Sequence, residues 1–160
     1  MKWINRLALV TGKWVSWLNV ILILLVCLDV MVRYIFQSTS AWIMELEWQL
    51  FAAIFLLGSM MTFYYDRHVR VDVFYNRFNL KTQSWIDLIG TIVLLLPWVW
   101  VVIFTSWKYA LTSLQQQEGS PNPGGLPFIF VIKFVIVLGF LLLGIQAINR
   151  LADTIKTIRS

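Results

Sequence analysis

The sequence predicts an all-α integral membrane protein of four transmembrane helices, and three observations carry that prediction. Of its 160 residues, 59% are hydrophobic and only 13% are charged, where a soluble domain carries about a quarter charged. The apolar residues gather in four runs, each long enough to cross a hydrocarbon core of about 30 Å at about 1.5 Å per residue. No run alternates as a barrel strand would. The four runs use up the chain, which reads as a single transmembrane domain over residues 1–160.

Residues 1–13 place Trp3, Ile4, Leu7 and Ala8 at helical spacing, with Lys2, Arg6 and Lys13 off that stripe. This pattern predicts a short amino-terminal helix lying in the membrane interface. The first span is expected over 14–36. It exceeds a secretory h-region and lacks a small-residue cleavage site, so it is read as retained. Its lone cysteine, Cys27, has no partner for a disulfide or a metal and reads as a small apolar residue.

The second span is expected over 46–65, the third over 85–109 and the fourth over 127–148. Pro97 lies inside the third and removes a backbone donor there, which predicts a bend. Between the third and fourth spans runs Gln115 to Pro127, rich in turn formers and unable to form a regular helix. A flexible linker and a fixed loop both suit it, because three prolines restrict the chain.

Orientation follows from lysine and arginine. Lys2, Arg6 and Lys13, then Arg67, Arg70, Arg77 and Lys81, then Arg150, Lys156 and Arg159 place ten of the 13 on one side. Both termini are therefore expected in the cytoplasm. Trp14, Trp17 and Trp85 then mark the inner interface, and Trp42, Trp48 and Trp107 the outer one. Trp98 and Trp100 fall near mid-depth, where a large flat side chain either faces lipid or is a candidate contact with another protein.

Charges within spans are costly and need partners. Asp29 and Arg33 stand four apart with the acid first, the favourable order for a helical pair. Glu45 and Glu47 open the second span, and Lys133 lies about 9 Å into the fourth. These five residues are expected to form one polar layer, with Lys133 pairing to Glu45 or Glu47. A transport pathway is the alternative, but Arg33 should hold Asp29 ionised. At the inner end of span two, Arg67, His68, Arg70 and Asp72 alternate with valines. That mixture suits a folded turn docked at the interface better than a plain topogenic loop, and His68 is more often structural than titrating.

Several function classes fall away. His68 is the only histidine, which excludes bis-histidine haem. No metal-ligand cluster, no Ser/His/Asp set and no nucleotide-binding loop appears, and nothing suggests an enzyme or a nucleic-acid partner. Two readings remain: an accessory subunit packed on a larger membrane partner, and a small four-helix proton-coupled exporter using Asp29.

The accessory reading coincides with a family. Arg33-Tyr-Ile-Phe ends span one and Trp42-Ile-Met-Glu-Leu enters span two, which carries Phe55-Leu-Leu-Gly. Arg67-His-Val-Arg-Val-Asp72 closes it, and Ser120-Pro-Asn-Pro-Gly-Gly-Leu-Pro127 precedes Lys133. In this order the sequence resembles the small membrane subunit of tripartite ATP-independent periplasmic (TRAP) transporters, the DctQ family, over about Arg33 to Gln146. The resemblance implies a bacterial inner-membrane protein that accompanies a large membrane subunit and a periplasmic substrate-binding protein. It implies sodium-coupled import of organic acids, commonly carboxylates, with substrate and sodium held by the large subunit. The small subunit would then extend the fixed scaffold, bind no cofactor, touch membrane lipid, and help to dock the binding protein.

Overall fold

A computed structural model describes residues 2–65 and 78–159. Helix α1 runs Lys2–Phe36 and α2 runs Ala41–Tyr64. The third span begins as α3, Leu80–Gly90, passes through a π-helical turn at Thr91–Leu95, and continues as α4, Leu96–Gln115. Helix α5 runs Phe130–Arg159. Four helices are long and apolar enough to cross a membrane, and no strand occurs among the described residues. Arg67, His68, Arg70 and Asp72, with their expected docked turn, lie outside the described residues.

The helices of the first and third spans overrun the expected bounds at one or both ends, α2 starts five residues early, and α5 starts three residues late but runs 11 residues beyond 148, because apolar runs mark only the part that sits in hydrocarbon. Residues 2–13 continue α1 without a break, so the expected interfacial segment is not a separate helix. Packing sustains the continuation: Ala8 is fully buried, and a Cβ on Gly12 would overlap the Met61 side chain of α2. At the next turn, Asn149 Nδ2 of α5 donates to Asn5 Oδ1 at 2.9 Å. In the third span the irregularity precedes Pro97. Leu96 N–H reaches back five residues to the Thr91 carbonyl. A wider turn there accommodates a proline ring that would crowd a regular helix.

Helix α5 is the centre. In its most apolar stretch 44% of residues are buried, against 6–11% in the other spans. Phe63 of α2, Val99 of α4, and Leu143 and Ala147 of α5 form the buried cluster, with Leu95, Leu96, Ile103 and Phe140 against it. Close approach depends on small residues, as in many membrane bundles. A Cβ on Gly139 would stand 2.9 Å from the Leu56 carbonyl oxygen, and one on Gly144 3.0 Å from Val99 Cγ1. Helix α1 packs chiefly on α2 and leaves most of its outer surface bare.

The bundle has two distinct ends. Phe36, Ala41 and the connection 116–129 share one, called here the loop end. Lys2, Tyr64, Leu80 and Arg159 share the other, the terminal end. Asn5–Asn149 spans α1 and α5 there, and Arg150 of α5 reaches α2 and α3.

Candidate functional site: a pinned loop and its polar support

At the loop end, local sequence builds a structured connection. Gln117 leaves α4 in the left-handed region, at φ 47°, as residues just past a helix often do. Asn122, Pro123, Gly124 and Gly125 form a turn closed by Gly125 N–H on the Asn122 carbonyl at 3.0 Å. Proline second and a glycine third at φ 75° are what a type II turn requires. Ser120 N–H donates to the Leu126 carbonyl at 2.9 Å, and Ile129 N–H to the Glu118 carbonyl at 3.2 Å. Of the two sequence expectations for this stretch, the fixed loop is the one observed.

Glu45 holds the loop to α2. Its Oε1 accepts from the Ser120 hydroxyl and from Asn122 Nδ2, the latter at 2.9 Å. Its Oε2 accepts from Leu126 N–H at 2.6 Å. Gly125 leaves room for this carboxylate, because a Cβ there would lie 2.7 Å from Glu45 Oε1. Glu45 is itself buried. A buried carboxylate serves well as such a pin, since it offers several lone pairs and only accepts.

A second support stands beside it. Lys133, buried on α5, donates from Nζ to Glu118 Oε2 at 2.5 Å, and its ammonium lies 3.8 Å from the Tyr109 ring centre. The bond to Lys133 holds the Glu118 carboxyl below its ordinary range. The expected pairing of Lys133 with Glu45 or Glu47 is therefore corrected. Glu118 lies in the connection that leads into α5, so it reaches the ammonium first, and Glu45 is already taken by three loop donors. Trp48 and Phe55 of α2, Tyr109 of α4, and Ile132 and Lys133 of α5 line an apolar groove of about 490 Å³.

The remaining expected residues are placed apart. Arg33 Nη2 donates to Asp29 Oδ2 at 2.6 Å, with Asp29 buried and Arg33 half exposed. Glu47 Oε1 is enclosed without a hydrogen-bond partner among the described residues. The five charges thus do not make one layer: they divide into a pair on α1, a loop pin, a loop–α5 pair and the separate Glu47. Trp98 and Trp100 on α4 are 62% and 70% exposed; two positions apart on a helix, they stand on opposite flanks of the buried Val99, and no described helix covers either.

Sequence reasoning missed the polar junction at the terminal end. Arg150 Nη1 donates to the Phe63 carbonyl at 3.2 Å, and Nη2 lies 3.7 Å from the Asp87 carboxylate. Its guanidinium also stands 5.6 Å from the Phe63 ring. One side chain so joins α2, α3 and α5. Asp87, an acid in the otherwise apolar start of the third span, was the available signal. Ser120 and Asn122 were legible only as turn formers, because nothing local shows that a carboxylate 75 residues earlier faces them.

The fold and this arrangement define a class. It is a multi-pass membrane protein whose polar side chains largely serve to hold helices and one loop in place. Its outer surface is mostly apolar and aromatic. The family model for the DctQ component of tripartite ATP-independent periplasmic transporters matches residues 22–157, and the chain belongs to that family. It is a small membrane subunit of a TRAP transporter. No individual curated protein matches it.

Proposed function

We propose that this chain is the fixed accessory subunit of a sodium-coupled TRAP transporter that imports an organic acid across the bacterial inner membrane. Substrate and sodium sites belong to the large membrane subunit, against which this bundle packs through exposed side chains of α4, with Trp98 and Trp100, on either flank of the buried Val99, as the candidate contacts. Both termini face the cytoplasm, in keeping with the positive-inside count. The loop end then faces the periplasm and helps to dock the substrate-binding protein.

The observation that carries this reading is the Glu45 pin. A fixed docking surface needs a loop whose shape exists before the partner arrives, because ordering it on contact would cost affinity. The exporter alternative draws no support from Asp29, whose carboxylate is engaged by Arg33 within α1.

Replacing 120–127 by a Gly/Ser linker in the assembled transporter tests the docking role. The expected result is slower uptake that rising binding-protein concentration partly restores. Uptake kinetics identical to the parent would refute docking by this loop. The chain alone in proteoliposomes is expected to move no substrate, and uptake there would favour a carrier.

A further inference from the structure

Helix α1 carries a second feature that the subunit reading does not use. At about 100° per residue, Trp3, Arg6, Val10, Lys13, Trp14 and Trp17 fall within a stripe about 100° wide. The seam that packs on the bundle (Asn5, Ala8, Gly12 and Val15) lies on the opposite side of the same helix. All six stripe residues are exposed, Trp3 and Trp14 at 71% and 70%. A groove of about 250 Å³ runs beneath Trp3 and Arg6 along Leu7 and Val10.

The charge on this face has one sign. Asp29 is the first acidic residue in the chain, so nothing on the first seven turns of α1 neutralises Arg6 or Lys13. Those two stand seven residues apart, about 10 Å along the axis. Both are long, flexible side chains, and two reaches of about 6 Å span that separation, so their charged heads can meet at one group between them. Farther along, the same face turns wholly apolar through Ile21, Leu24 and Leu28, which are 50%, 64% and 49% exposed.

We propose that this face is a binding site for one anionic phospholipid. Arg6 and Lys13 hold the phosphate, the indoles of Trp3, Trp14 and Trp17 flank the glycerol region, and an acyl chain follows Ile21, Leu24 and Leu28. Charge complementarity selects the occupant: two cations with no acidic partner among the described residues, at the interfacial end of an apolar ridge, match an anionic headgroup attached to a hydrocarbon tail. An acidic protein segment would satisfy the cations but leave the ridge unmatched. The site stands whether or not the docking proposal holds.

Native mass spectrometry of the purified full chain, with palmitoyl-oleoyl phosphatidylglycerol or phosphatidylcholine added, tests this. The parent should retain phosphatidylglycerol in preference to phosphatidylcholine. The double variant Arg6→Gln/Lys13→Gln should lose that preference by about 25-fold, from roughly 5-fold per basic residue near an anionic surface. The charge-keeping swap Arg6→Lys/Lys13→Arg should retain most of it, and Lys108→Gln, at the loop end, all of it. No lipid preference in the parent, or an undiminished one in Arg6→Gln/Lys13→Gln, overturns the site. So does a double variant with normal lipid retention and weakened recovery of the large subunit, which would assign the face to protein contact. If the double variant does not fold, salt decides: a parent preference unchanged between 0.1 M and 1 M salt overturns it, because exposed ionic attraction is screened over that range.

Discussion

Replacing Glu45 by alanine should release the outer loop while leaving the bundle folded. The substitution removes the acceptor for three donors: the Ser120 hydroxyl, Asn122 Nδ2 and Leu126 N–H. Hydrogen bonds to charged acceptors each shift an equilibrium by about 10- to 100-fold. Asn122 is exposed and Ser120 half-buried, so water replaces much of what those two lose. Leu126 N–H is the least replaceable, because its bond closes the loop against α2. Counting one full bond and part of the others, the loop should open about 100-fold more often. Hydrogen exchange reads this directly at Ser120, Asn122, Gly125 and Leu126, whose amides are all bonded within the loop or to Glu45. Those amides should exchange about 100-fold faster, while α2 and α5 near Phe63 and Arg150 stay protected. Glu45→Gln should fall between, because its amide group turns a donor toward a donor. Unchanged exchange at Leu126 in Glu45→Ala would refute the pin, and equal acceleration at both ends of the bundle would show that Glu45 supports global folding instead.

Other perturbations test the remaining supports. Glu118→Ala should lower the melting temperature more than Lys133→Met, since it leaves a buried ammonium unpaired while the reverse leaves a carboxylate that water can reach; equal effects would deny that burial sets the asymmetry. The Glu118 carboxyl is depressed, so its contribution is complete above its ordinary value of 4.5 and is lost as pH falls through the lowered one. Protection of the Ile129 amide should accordingly be flat from pH 6 to 8, and a loss within that window would contradict the pairing. Gly139→Val should destabilise by about 1–3 kcal/mol through overpacking against Leu56, measured by thermal unfolding in detergent. Arg150→Ala should cost about 1.5–3 kcal/mol and raise exchange around Phe63, leaving the loop end unaffected.

Much of the fold was legible from individual residues, and the part that was not has a common cause. The four runs and Pro97 announced four helices and an irregular third span, because hydropathy and a missing backbone donor act locally. The i,i+4 spacing of Asp29 and Arg33 sufficed to pair them, since one helix settles that geometry. Lys133 was assigned the wrong acid. Depth in the membrane ranks partners by height alone, and Glu45, Glu47 and Glu118 all lie near the height of Lys133. The continuity of residues 2–13 with the first span, and the extension of the last helix over 149–159, escape the sequence for a related reason: these stretches are held by packing and by Asn5–Asn149, not by apolar composition.

By itself the sequence determined the class of protein, four apolar runs each long enough to cross a membrane. Those properties sum over the chain and need no knowledge of neighbours. It also marked Gln115 to Pro127 as a turn-forming connection that no regular helix could cross, because proline and glycine constrain their own backbone. Only the tertiary structure decided that Glu45 grips that turn, that Glu118 takes Lys133, and that Arg150 joins α2 and α3 to α5. Each of these depends on which helix faces stand side by side, and residues 75 or 87 positions apart carry no mark of each other until the helices pack.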